Sequence, residues 1–309
     1  MAGGRNRTAL RFKTFLTQLA GLGFTPYIIC APATILLVFF FLVPAVTQLS
    51  MSFFKYIPPG TVMGKFYEPT FTVENYVRFS EPTYVIGYLW PTIKIMFAST
   101  ILGLVLSYPL AYSIARSSPR SRKIFTTLAV IALLVGPIVR VYSWLIVLGR
   151  DGIINDLISF LGFNRIKFLG TELGVIIGTT QFLLAFLIFS LSGSIQNIDP
   201  SFEDAARSLG ASDVHAFMKV TLPLSLPGIS SAVLIGLTLG ATMLETPMIL
   251  GQGITEMQAN LVFKEALFLN YPFAAVASIV LITITLGISY GANYLLKTRI
   301  KWMKQGQVS

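Results

Sequence analysis

The sequence predicts an all-α integral membrane protein with six transmembrane helices. Three observations predict it. Apolar types make up 54% of the 309 residues and charged types only 12%, about half the share of roughly 25% usual in a soluble domain. Six segments are each long and apolar enough to meet the requirement of about 20 residues for a helical span. Lysine and arginine cluster in alternate connections between those segments.

The six segments fall at about 26–50, 87–115, 124–148, 171–193, 225–248 and 271–296. The first is too long for the apolar core of a cleavable signal, so it reads as a retained span. Several spans hold proline or glycine, as at Pro44, Pro109 and the Gly136-Pro137 pair. Membrane helices tolerate these because neighbouring helices and waters satisfy the freed backbone groups. Ahead of the first span, Leu10, Phe12, Phe15, Leu16 and Leu19 recur near helical spacing with Arg11 and Lys13 between them. This reads as an amphipathic helix on membrane lipid, within an N-terminal segment 1–25. The spans occupy 26–296, and 297–309 reads as a basic tail. The connection 51–86 is the longest and is expected to fold against the outer surface.

Charge orients this arrangement. The N-terminus, the connections after spans two and four, and the C-terminus hold 14 of the 23 basic residues and four of the 13 acids. The opposite connections and span edges hold nine basic residues and eight acids. The positive-inside rule then places both termini in the cytoplasm. The net charge of +10 is thus a matter of topology and does not imply nucleic acid. Cys30 is alone and makes neither an intrachain disulfide nor a cysteine metal site. His215 has no neighbouring ligand type and reads as a surface residue, so no metal site is expected. No constellation of His, acid and Cys suggests an enzyme.

The stretch 203-EDAARSLGASDVHAFMKVTLPL-224 interrupts the apolar pattern on the cytoplasmic side. Asp199 and Pro200 suit a helix start, and Glu203 and Asp204 favour its positive end. Gly210 suits a left-handed helix stop, Ser212 a second cap, and Pro223 the return to the membrane. Ala205 and Ala206 leave one helix face bare, so the piece reads as a rigid knob offered to a partner.

The order Asp204-Ala205-Ala206, three residues, Gly210, nine residues, Val220, one residue, Leu222-Pro223 resembles the EAA loop of ABC importer permeases. Asp204 replaces the usual Glu, with Glu203 beside it, and Val220 replaces Ile. The runs 136-GPIVRVYSWLIVLGRDGIINDLISFLGF-163, 245-ETPMILGQG-253 and 270-NYPFAAVASIVL-281 are similar to the spermidine/putrescine permease subgroup.

The resemblance implies a type I ABC importer permease fold in a bacterial inner membrane. Its loop 199–223 would be a coupling helix docking on a separate ATP-binding subunit through Glu203, Asp204, Ala205, Ala206, Gly210, Phe217, Leu222 and Pro223. It further implies two copies of that subunit, a second permease chain, identical or a sister, and an extracytoplasmic binding protein. No GxxxxGK[ST] run is present, so ATP and magnesium belong to the ATPase and this chain binds no cofactor. The same pattern is shared by permeases for opines, other organic cations and compounds of different charge.

The alternative of another class is a stand-alone secondary transporter. Such proteins carry paired repeats, broken helices and mid-membrane charges, none of which is visible here. Charges near the outer span ends are candidates for the pathway. Lys94 and Glu245 read either as a structural pair or as a gate at which Glu245 attracts a cation. Tyr142 and Trp144 read as an interfacial belt or as substrate contacts. Beside them, Arg140 would repel a polyamine and suits a contact with the binding protein or an anionic substrate.

Overall fold

The computed structural model describes residues 25–61 and 64–305. The expected amphipathic helix at 8–20 lies outside the described residues. Four helices are each long and apolar enough to cross a membrane: Cys30–Met51 within α1 (Thr25–Met51), all of α3 (Pro82–Arg116), α7 (Glu172–Gln196), and Tyr271–Leu296 within α13 (Tyr271–Gln305). Two bent pairs complete six spans when each pair counts as one. They are α4 (Pro119–Leu134) with α5 (Pro137–Val147), bent by 94°, and α9 (Asp213–Leu224) with α10 (Leu226–Ala241), bent by 66°.

These breaks correct the expectation of uninterrupted spans three and five. At the first, Val135 and Gly136 have extended backbone, because the ring of Pro137 disfavours helical geometry in the residue before it. Span five is interrupted again further on, where α10 stops at Ala241 and a new short helix, α11 (Glu245–Leu250), begins after Thr242–Leu244. Pro247 has no N–H to give to the turn before it. Glu245 therefore does not sit at the end of one straight 225–248 helix. The apolar stretch of the last helix runs Tyr271–Leu296, and α13 continues as helix to Gln305.

α3 and α7 pack along much of their length, and α10 inserts against both and against α13. Small residues make these seams close. A Cβ on Gly236 would lie 2.6 Å from Thr100 Cγ2, and one on Gly178 would lie 2.7 Å from Leu250 Cδ1. Around them Ala111, Leu183, Leu187, Leu191, Ile195 and Ala232 form a continuous buried cluster. Tight backbone approach suits helices in lipid, where apolar burial alone gives little drive to associate. α1 meets α13, but none of its apolar stretch is buried within the chain; acyl chains solvate such a face as well as protein would.

The connection after α1 packs against α13. Lys55–Tyr56 (β1) pairs antiparallel with Tyr67–Glu68 (β2), and a short helix, α2 (Glu74–Phe79), follows. Buried Asn75 donates to the carbonyl of Phe54 at 2.8 Å, and the Ser52 and Tyr76 hydroxyls meet at 2.8 Å. At the same end lie α6 (Ile153–Phe160) and α12 (Gln258–Leu267). The residue 199–223 loop lies at the other end of the bundle, where α3 terminates.

Gly236→Val should overpack the α3–α10 seam at a cost of about 1–3 kcal/mol. The expected result is a lower thermal midpoint in detergent, by roughly 2–10 °C. Gly287→Ala, where a Cβ meets nothing within 4 Å, should leave the midpoint unchanged or raised.

Candidate functional site

The loop builds itself from local signals. The Asp199 carboxylate accepts from the Ser201 N–H at 2.9 Å, opening α8 (Ser201–Ser208). After Leu209, Gly210 adopts φ +91°, the left-handed position that reverses a chain at a helix end. The N–H of Ala211 returns to the Ala206 carbonyl at 3.1 Å. Ser212 then caps α9, accepting from the His215 N–H at 3.3 Å. Arg207 braces the two helices, donating to Asp204 at 2.8 Å and to Asp213 at 2.7 Å. Both acids are exposed, so each of these pairs contributes little alone.

The anchor lies beneath. Glu203 is 4% exposed. Its Oε1 accepts from Thr221 Oγ1 at 2.7 Å and from Arg116 Nη2 at 2.7 Å, and its Oε2 accepts from the Tyr112 hydroxyl at 2.8 Å. Arg116 also donates to the Ile198 carbonyl at 2.9 Å, so one guanidinium holds both the carboxylate and the end of α7. Four residues before Tyr112, the Tyr108 hydroxyl meets Ser225 Oγ at 2.6 Å. The Phe217 ring stands edge-on to both tyrosines, 5.6 Å from Tyr108 and 5.4 Å from Tyr112. Tyr108, Tyr112 and Arg116 recur every fourth residue and so form one stripe of α3. Burial would raise the Glu203 carboxyl, but hydrogen bonds from Thr221, Arg116 and Tyr112 together outweigh it and hold the group below its ordinary value.

The eight residues expected to dock a partner therefore divide. Asp204, Ala205 and Gly210 are exposed and Ala206 is half-buried. Glu203 and Phe217 turn inward onto α3 instead, and Leu222 and Pro223 lie half-buried at the joint before Ser225. The most exposed apolar side chain of the knob is Leu209, at 90%; Val214 and Phe202 are exposed around it. Sequence reasoning missed Tyr108, Tyr112, Arg116, Thr221 and Ser225. The signal was there in the polar stripe at four-residue spacing that closes an apolar helix. His215 is exposed, and among the described residues no group of acids, His and Cys is placed to hold a metal ion.

The pathway candidates are rearranged. Lys94 pairs with Glu172 at the start of α7, not with Glu245. Glu245 instead lines a small cavity with Arg140, Trp144, Gln181 and Phe182. Trp144 packs against the core cluster around Val141 and Leu148, while Tyr142 is exposed.

An all-α bundle with broken spans, and a two-helix knob pinned to one end by a buried ion pair, defines the permease class of transport proteins. The chain belongs to the family of binding-protein-dependent transport system inner membrane components, whose profile matches residues 99–301. It is 32% identical over 271 residues to the spermidine/putrescine transport system permease protein PotB of Haemophilus influenzae, covering 86% of this chain and 93% of that one. To PotB of Escherichia coli it is 30% identical over 228 residues, 72% of this chain and 82% of the relative. In fold it is similar to a chain of a bacterial alginate ABC transporter crystallised with an alginate pentasaccharide-bound periplasmic protein. The TM-score there is 0.70 at 19% identity, covering 94% of this chain and 99% of that one. The chain is accordingly an ABC importer permease subunit.

Arg116→Ala leaves the Glu203 carboxylate buried without its cation, a loss of about 3–5 kcal/mol. Hydrogen exchange over 199–223 should accelerate strongly while the spans stay protected. The pH dependence has a definite sign. Because the Glu203 carboxyl is lowered by folding, its stabilisation is complete above the ordinary carboxylate range and is lost as pH falls through the lowered value. Protection of the loop should therefore be flat across neutral pH and fall only in acid, and Glu203→Gln should remove that acid step.

Proposed function

We propose that this chain forms half of the membrane pathway of an ATP-driven importer for polyamines of the spermidine/putrescine class. The other half would be a second permease chain. An extracytoplasmic binding protein delivers the substrate to the end that carries α2, α6 and α12. Two copies of an ATP-binding subunit, which hold ATP and magnesium, dock on the opposite, cytoplasmic end, where both termini also lie.

The observation that carries the coupling role is the pairing of an exposed apolar knob with a buried ionic anchor. Leu209 and its neighbours offer the contact. The Glu203, Arg116 and Tyr112 bonds fix the knob to α3, so a push on the knob becomes a displacement of a membrane helix. Without the anchor, the same push would only bend a loop. The polyamine assignment rests on the names of relatives that match most of the chain, and a half-buried acid in the bundle agrees with a cationic cargo.

Affinity purification of this chain from its native membranes and uptake of labelled spermidine and putrescine test the reading together. Recovery of an ATP-binding subunit and saturable polyamine uptake are expected; purification of the chain alone in a detergent that preserves a known importer would sink it. Gly210→Val forces a branched side chain into a left-handed position at about 1–2 kcal/mol. Recovery of the ATPase should then weaken roughly five- to thirtyfold while membrane insertion is unchanged.

A further inference from the structure

Two unsatisfied acceptors and an aromatic wall meet in the small cavity between α5, α7 and α11. Arg140 and Trp144 come from α5, Gln181 and Phe182 from α7, and Glu245 from the first residue of α11. Glu245 is half-buried, yet it has no hydrogen-bond or ion-pair partner within 4.0 Å among the described residues. Gln181 Oε1 is buried and accepts no hydrogen bond. The Arg140 guanidinium stands over the Phe182 ring, 4.9 Å from its centroid, and the charge acting on it across the cavity is that of Glu245.

A carboxylate, an amide oxygen and aromatic faces are the set that recognises an ammonium group. The oxygens take its N–H donors, and the ring face takes its charge. The cavity thus offers acceptors that have no partner, and its ring face already holds a cation supplied by the chain. Arginine stays charged at any physiological pH, so this occupant never leaves by deprotonation; it leaves only by moving. Two of the walls follow breaks in the chain. α5 follows the 94° bend after Leu134, α11 follows the break after Ala241, and the two pack on each other.

We propose that this cavity is a transit site for one ammonium group of the substrate, and that Arg140 is the built-in cation that fills it between passages. Displacement of the guanidinium from the Phe182 face would admit an alkylammonium to Glu245 and Gln181, and its return would close the site. This rests on the polyamine reading above. It gives Arg140 a place in a cationic pathway where its charge alone would argue against one.

The test uses the complete complex, with its ATPase, sister permease and binding protein, reconstituted in liposomes with labelled spermidine. Glu245→Gln removes the charge-assisted contact and should lower uptake by about ten- to a hundredfold with ATPase recovery unchanged. Phe182→Leu, which keeps bulk but loses the ring, should lower it by about two- to fivefold. The double variant Arg140→Gln with Glu245→Gln should stay as impaired as Glu245→Gln alone. Recovery in the double variant would identify a merely structural ion pair and overturn the proposal. So would Glu245→Gln uptake within twofold of wild type. If the wild-type complex moves no polyamine at all, the substrate assignment itself falls, which is a different result from a wild type that transports and a Glu245 variant that transports equally well.

Discussion

Burying the Glu203 carboxylate is the constraint on which the working end of this molecule depends. An ion taken out of water costs several kcal/mol even after relaxation. A hydrogen bond to a charged group returns about 1.5–3 kcal/mol. One donor would leave the balance unfavourable. Thr221, Tyr112 and the two guanidinium nitrogens of Arg116 together reverse it, but only while α3, α8 and α9 keep their relative positions. The bond set thereby acts as a geometric condition: displace any one of the three helices and a charge is left buried and unpaired.

That condition explains why the rest of the bundle is packed as it is. α3 must be stiff and well held if it is to fix the loop. It is gripped along its length by α7 and α10 through seams of small residues, and tied near its start by the pairing of Lys94 with Glu172. The interruptions lie elsewhere, at the bends before α5 and α10 and at the break before α11. The cavity around Glu245 lies where unbroken α7 meets α5 and α11, the two helices that follow breaks.

Much of this was legible in the sequence, for identifiable reasons. Only a helix or a closed barrel satisfies its backbone in lipid, so apolar length alone located the spans. The caps at Asp199, Ser212 and Gly210 are local chemistry and were readable for that reason. The facing of Glu203 and Asp204 was not. Neighbouring residues on a helix point about 100° apart, and which of the two turns inward depends on where α3 lies. The partner of Lys94 was hidden for a similar reason, since Glu172 is 78 positions away and no periodicity connects them. Gly136-Pro137 was visible as residues, but a proline pair is compatible with a tolerated kink or with a 94° turn, and tertiary packing selects between them.

The separation of Arg116 from Glu203 also has a meaning in time. The two lie 87 residues apart in the chain. At a synthesis rate of about 5–20 residues per second, Arg116 is made roughly 4–17 s before its carboxylate exists. During that interval a cation at the end of an apolar helix has only headgroups and water to satisfy it, which keeps that end of α3 at the membrane surface. When α8 emerges, its carboxylate finds the arginine already waiting at the right depth. The same arginine that holds the finished loop in place thus serves, during biogenesis, as the depth marker that sets the register of the second span before the fourth has been threaded.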